Sequence, residues 1–384
     1  MIERLFWKQR VTLALKRRPI VWLAGVRRVG KTTLCKQLKS VVYMDCELPS
    51  VRRQLEDIEY FWGQHSGKTV VLDEIHRLTD PSAVLKIAHD HFPSVKVIAT
   101  GSSTLAAKRK FKDTLTDRKH DVWIQPLLLS ELRPTQSFQL DKRLLRGGLP
   151  PAYFSENLDE YFYREWIDSF WAKDIQELFS IDRKSSFIKL AELLLRQSGE
   201  LMQVSSLATP CEISRQTVQN YIECLETTLF VHLLRPWGRG KQNEIVRRPK
   251  IYGFDTGMVC FAKGIFELRP EDKGLLLEHT ILQELLSQFG RDEIWFWRDK
   301  QKHEIDFLVT LKRSHDVHAI ECKWTREAFN TSALTIFRKL TPDGLNILTA
   351  TNIEKQAKRR IGSLEILECP PWQVAEVLVS LHHH

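Results

Sequence analysis

The stretch Gly25-Val26-Arg27-Arg28-Val29-Gly30-Lys31-Thr32 decides how the rest of the chain is read. It satisfies the spacing Gly, four residues, Gly-Lys-Thr, and it sits between the apolar run Ile20 to Ala24 and the helical pattern Thr33 to Leu38. Glycines at those places let backbone N–H groups curl around an anion, and a helix beginning there adds its partial positive charge. Lys31 is expected to hold the β- and γ-phosphates of a nucleoside triphosphate and Thr32 to offer its hydroxyl to Mg²⁺, with Gly25, Gly30 and Thr33 completing the cradle. ATP and Mg²⁺ are the cofactors this pattern calls for. The plain alternative is an ordinary glycine turn between a strand and a helix.

The surroundings favour the phosphate loop. Residues 1 to about 135 alternate short apolar runs (Ile20 to Ala24, Val41 to Met44, Thr69 to Leu72, Val95 to Ala99, Val122 to Ile124) with helical patterns, the signature of a parallel sheet covered by helices. Val70-Val71-Leu72-Asp73-Glu74 reads as a buried strand that delivers two carboxylates to the crevice where parallel strands end. Asp73 is expected to complete the Mg²⁺ shell and Glu74 to polarise the attacking water. A further strand ends Ala99-Thr100-Gly101-Ser102-Ser103, and Ser102 is the candidate for contact with the γ-phosphate or the water. Phosphoryl transfer gains most from an arginine delivered to the γ-phosphate, often by a neighbouring subunit, and Arg118 is the candidate. The basic segment Lys108 to Lys112 before it reads equally as a solvated loop.

Composition bounds the rest. At 384 residues, with 43% apolar and 27% charged side chains, the chain is a globular protein of two or three cores. No apolar run approaches the roughly 18–20 residues of a membrane span. Met1 to Arg17 is charged throughout and lacks a secretory h-region, so a cytoplasmic location and no membrane partner are expected. The seven cysteines show neither zinc-ligand spacing nor an even count. An excess of 57 basic over 48 acidic residues favours a polyanionic partner without naming one. The terminal Leu381-His382-His383-His384 reads as the remnant of a purification tag and is left out.

Beyond the first domain (1–135), the breakers Gly147-Gly148-Leu149-Pro150-Pro151 and the amphipathic Asp159 to Phe179 mark a helical connector or lid, 136–184. Residues 185–255 follow winged-helix order: three short helical patterns, then two strand-like runs. Ser214 is placed to cap the third helix. Val218, Tyr221, Ile222 and Leu225 share its inner face, leaving Arg215, Gln216, Gln219 and Asn220 outside, types that read base edges or grip phosphates. Arg235, Arg239, Lys241, Arg247, Arg248 and Lys250 form a basic hairpin beside it, as a DNA-gripping wing requires. Protein docking is the alternative use of such a module.

The last domain, 256–380, reads as mixed α/β. Glu278 on a helix, Asp306 opening one strand, and Glu321-Cys322-Lys323 ending another have the form of a D…E-x-K nuclease site. Alternation along the strand puts Glu321 and Lys323 on one face. Asp306 and Glu321 are expected to bind Mg²⁺, Glu278 to orient the metal's water shell, and Lys323 to activate water or stabilise the pentavalent charge. Glu304 is a spare ligand or a surface charge.

The ordered set Gly25 to Thr32, Val70 to Glu74, Thr100 to Ser103, Arg118, Gln125-Pro126-Leu127, Glu131-Leu132, Gly147 to Pro150, Lys173-Asp174-Ile175, Pro249 to Tyr252 and Asp255-Thr256-Gly257 resembles the archaeo-bacterial AAA-type ATPases with a winged helix and a PD-(D/E)xK restriction-endonuclease-like C-terminal domain. Asp117, before Arg118, departs from the glycine relatives often carry there. The resemblance spans nearly the whole chain. It implies a P-loop parallel-sheet core, Mg²⁺-dependent ATP hydrolysis, assembly into a ring and action on branched DNA as motor or remodeller, with metal-dependent cleavage as a further output. A nucleotide-gated signalling switch with a non-cleaving nuclease-like domain is the rival reading.

Overall fold

A computed structural model describes residues 2–101, 115–176, 179, 181, 183–238, 248–311 and 316–380. The amino-terminal sheet consists of β1 (Ile20–Ala24), β2 (Val41–Asp45), β3 (Thr69–Asp73), β4 (Lys96–Thr100) and β5 (Lys119–Trp123), all parallel, in the order β2-β3-β4-β1-β5. Side chains alternate across a strand, so a strand buried on both faces reads as an unbroken apolar run. In β1, Val21 and Leu23 enter the core beneath the helix Leu5–Arg17, with Trp7 and Val11. Ile20, Trp22 and Ala24 enter the opposite core, with Trp62 and Leu85. The chain leaves β1 in the middle of the sheet and returns at its edge as β2, which opens a crevice at the carboxyl end of β1.

The connector follows as helices Leu140–Arg146, Pro150–Phe154 and Phe162–Phe170, the last running into a π-turn at Trp171–Ile175. Its seat is aromatic: Trp166 stacks on Phe254 at 4.7 Å and Phe170 on Phe230 at 5.0 Å. Helices Lys184–Arg196, Val204–Cys211 and Arg215–Thr227 come next, then β6 (Val231–Pro236) and β7 (Lys250–Gly253), an antiparallel pair. Ser214 caps the third helix as expected, its hydroxyl accepting the Thr217 N–H at 3.0 Å.

The remaining strands are β8 (Ile294–Arg298), β9 (Glu304–Thr310), β10 (Val317–Lys323), β11 (Asn346–Ala350), β12 (Ala357–Ile361) and β13 (Leu364–Cys369). They form one mixed sheet with β6 and β7, ordered β12-β13-β11-β10-β9-β8-β6-β7. The division anticipated at 255/256 therefore crosses a continuous sheet: β6 runs parallel to β8 through Arg235↔Trp295 and Pro236↔Phe296. The two strands read as the basic hairpin beside the third helix are rooted in this sheet. Among the described residues no helix is long and apolar enough to cross a membrane.

Candidate functional site

The loop after β1 bends where its sequence allows. Gly25 lies so close to the strand-end Ile124 that a Cβ there would meet the Ile124 carbonyl oxygen at 2.8 Å, and Gly30 has φ +99°, a conformation side chains disfavour. Lys31 opens the helix Lys31–Lys36 and folds back over the loop, donating to the carbonyls of Gly25 (2.8 Å) and Val26 (3.2 Å). Burial pulls its pKa below the ordinary lysine value, while Glu74, Asp174 and Asp73 pull it back up.

Asp73, 2% exposed at the end of β3, is held from both sides. The Tyr43 hydroxyl donates to its Oδ2 at 2.6 Å, and the Thr100 hydroxyl donates to its Oδ1. Tyr43 is the partner of Asp73 that sequence reasoning did not single out; Thr100 stood in the quoted strand end, where Ser102 was the choice. The signal available was register: Tyr43 lies opposite Val71, one diagonal step from Asp73. Glu74 occupies the left-handed region (φ 54°), a strained conformation for a non-glycine residue. Its N–H donates to Thr100 Oγ1 at 3.1 Å, and its carboxylate lies 3.1 Å from His76 Nδ1. Burial pushes the Glu74 carboxyl upward, but His76 and Lys31 hold it below the usual range. Strain, burial and fixed partners all sit on the residue expected to polarise water.

A cavity of about 300 Å³ opens at Lys31 and Glu74, lined by Lys31, Thr32, Thr33, Glu74 and Gly101 from the sheet side and by Pro150, Pro151, Lys173 and Asp174 from the connector. Arg27 of the loop pairs with Asp174 of the π-turn at 3.3 Å, and Trp166 donates its indole N–H to the Arg27 carbonyl at 3.1 Å. The donor set of one hydroxyl (Thr32) and carboxylates suits a hard, oxygen-seeking cation, so the residues fit Mg²⁺. Thr32 and Asp73 would hold it, and it would supply neutralisation of phosphate charge. Ser102 lies outside the described residues.

Arg118 lies at the other end of the sheet. It precedes Lys119, which pairs with Ile20 at the start of β1, roughly 13 Å along the strand from the loop that follows Ala24. Its guanidinium holds Asp90 with two contacts, at 3.0 and 3.3 Å. Arg118 cannot serve its own subunit's loop from there.

The connector is tied to the later modules by buried polar groups. Arg143, fully buried, donates to the Leu127 carbonyl (2.7 Å), the Thr256 hydroxyl (3.1 Å) and Gln283 Oε1 (2.5 Å). Asp255 accepts from the N–H groups of Gly148 (2.6 Å) and Gly257 (3.0 Å). Gly147 and Gly148 leave no room for side chains: a Cβ on Gly147 would lie 1.8 Å from Asp255 Oδ1, and one on Gly148 would lie 2.7 Å from Arg143 Nη2. Glu284 accepts from the Ser130 hydroxyl (2.7 Å) and N–H (3.2 Å), and its burial raises its pKa to about 7. Leu127, Gly147-Gly148 and Asp255-Thr256-Gly257, scattered in sequence, thus meet at one junction.

On the third helix of the next module, Val218, Tyr221, Ile222 and Leu225 are buried, and Arg215, Gln216, Gln219 and Asn220 are exposed. Arg248 is exposed; Arg239, Lys241 and Arg247 lie outside the described residues.

Glu278, Asp306 and Glu321 lie close enough to feel one another's charge, with two lysines among them. Lys323 Nζ lies 2.7 Å from Glu321 and 3.2 Å from Asp306. Lys250 is buried here instead of standing on the wing, 3.2 Å from Glu278 and 2.5 Å from Glu304. The Tyr252 hydroxyl donates to Glu278, and Arg298 binds Glu304 at 2.8 Å. Burial, then the field of Asp306, raises the Glu278 carboxyl and lifts Glu321 to about 8. Among the described residues no group of three or more His, Cys, Asp or Glu side chains is arranged to hold a metal ion. The acids have ammonium partners at these distances, Lys323 on Glu321 and Asp306 and Lys250 on Glu278.

Residues 17–133 match a family described as an AAA domain, and residues 137–269 and 273–367 match two families described as domains of unknown function (DUF8612 and DUF4143). An uncharacterized protein of Mycobacterium tuberculosis is 29% identical over 322 residues, 81% of this chain and 72% of its own. Another, of Methanocaldococcus jannaschii, is 24% identical over 277 residues, 58% of each chain. Among solved structures, a Walker-type ATPase of Pyrococcus abyssi is similar at 14% identity and TM-score 0.44, over 68% of this chain and 96% of that one. The Holliday junction branch migration motor RuvB of Thermotoga maritima is similar at 18% identity and TM-score 0.30, over 61% and 90%. The amino-terminal domain is an AAA-type P-loop domain, and the chain is an ATPase.

Proposed function

We propose that the chain is a ring-forming, ATP-driven remodeller of DNA, in which the module 185–255 is a winged helix that grips the backbone without reading sequence. The observation that carries this reading is the path out of the nucleotide pocket. Pro150 lines that pocket, Gly148 two residues earlier is bonded to Asp255, and Asp255 closes the module whose outer helix face presents Arg215, Gln216 and Gln219. A change in how the connector sits over the phosphates is thereby transmitted to a basic surface. The 256–380 region is read as a nuclease-like fold that serves binding, and no cleavage step is proposed.

Steady-state ATP turnover with and without forked duplex tests the proposal. Turnover is expected to rise several-fold with fork, to fall steeply with salt as counterions compete, and to lose its stimulation in Arg215→Ala with Arg248→Ala. Turnover indifferent to every DNA form would return the chain to a nucleotide-gated switch.

The position of Arg118 adds a second expectation. In a ring it is supplied to a neighbour's γ-phosphate, leaving its Asp90 contact on assembly. Arg118→Ala should keep nucleotide affinity and lose hydrolysis by about 10³-fold. Mixing it with Lys31→Ala should recover measurable turnover, because each mixed interface in one orientation has both groups intact. If the mixture stays inactive while both variants still assemble, delivery between subunits is wrong.

A further inference from the structure

The second lysine of the carboxylate cluster comes from a different module. Lys250 and Tyr252 alternate with Ile251 along β7, so both project from one face, and both meet Glu278 on the helix Pro270–Gln288. Lys250 is 4% exposed, and its strand is fixed on one side by β6, through Leu234↔Lys250, and on the other by a bridge to Leu201. A surface lysine could swing away from an arriving cation; this one has no open space to enter. Each of the acids Glu278, Glu304, Asp306 and Glu321 has a cation no more than 3.2 Å away, supplied by the buried Lys250 or by the partly exposed Lys323 and Arg298. Asp306 is further committed, accepting the Cys322 N–H at 2.8 Å. A divalent ion with oxygen ligands at about 2.0–2.6 Å would have to share these same oxygens with ammonium groups already seated on them.

We infer that Lys250 is the resident counter-ion of this cluster, standing where a divalent cation would otherwise neutralise the acids and closing the cluster to hard metal ions. Lys323 alone does not achieve this, since it reaches only Glu321 and Asp306. Lys250 covers the other half, Glu278 and Glu304, and arrives from the strand that leaves the basic hairpin. The inference concerns the carboxylates alone and stands whether or not the chain acts on DNA.

The test is Mn²⁺ binding to the nucleotide-free full chain, read as loss of the free-ion electron spin resonance signal. The unaltered chain and Asp306→Asn should bind Mn²⁺ equally. Lys250→Met should gain one site at least tenfold tighter than any in the parent, and the gain should vanish in Lys250→Met with Asp306→Asn. Lys250→Arg should stay closed. A loss of Mn²⁺ binding on Asp306→Asn in the otherwise unaltered chain overturns the inference, and that arm needs no Lys250 variant to fold. So does a Lys250→Met chain with parental circular dichroism that binds no more Mn²⁺ than the parent.

Discussion

Lys31→Ala should cut ATP turnover by about 10²–10³-fold while leaving the unliganded protein as stable as before, or slightly more so. The two halves of this result have one cause. The Lys31 ammonium is half-buried against the carbonyls of Gly25 and Val26, and the desolvation works against its charge and pulls its pKa down. Desolvating an ammonium costs free energy that two carbonyl contacts repay only in part. Phosphate oxygens would restore what water gave. The side chain is thus held ready for the ligand at the expense of the fold, which is the usual direction of the exchange between activity and stability. Turnover and a thermal melt of the same samples check it; a melting temperature several degrees lower would make Lys31 a structural residue.

Arg143→Met should do the reverse, destabilising the whole chain by about 3–5 kcal/mol. Three groups on three segments, the Leu127 carbonyl, Thr256 and Gln283, lose their donor, and Asp255 loses the positive field that offsets the burial of its carboxyl. Arg143→Lys should rescue little, because one ammonium cannot reproduce the planar fork that reaches all three. The expected fall in melting temperature is on the order of 5–10 °C, read by calorimetry or circular dichroism. Nucleotide affinity should fall with it, since Gly148 is seated against the guanidinium and leads directly to Pro150 in the pocket. A stable Arg143→Met chain with weakened nucleotide binding would instead make the arginine a local positioning group.

What the sequence made legible was governed by local rules. The strands of the first sheet could be read because full burial on both faces leaves an unbroken apolar run, as in Ile20 to Ala24. The phosphate loop could be read because its glycines are demanded by geometry, and Ser214 because a cap bonds a neighbour three residues on. Lys250 was illegible for the opposite reason. In the linear chain it closes a basic run and looks like one more wing charge, whereas its partners are on a helix and a strand that come 28 and 54 residues later. Arg143 was hidden in the same way, between Lys142 and Leu144 on a short helix. Its burial depends on the meeting of Leu127, Thr256 and Gln283, which no local pattern announces. Asp306, Glu321 and Lys323 were found together because they alternate on neighbouring strands, whereas Lys250, the partner of Glu278 and Glu304, was not placed with them.

The border shared by β6 and β8 bears on how such a polypeptide can be dismantled or inherited. Severing the backbone after Asp255 would leave each half with a raw margin of unpaired amides and carbonyls, the kind of margin that recruits stray strands into aggregates. A gene fusion that borrowed either half would therefore have to supply a new selvedge for the edge it exposes.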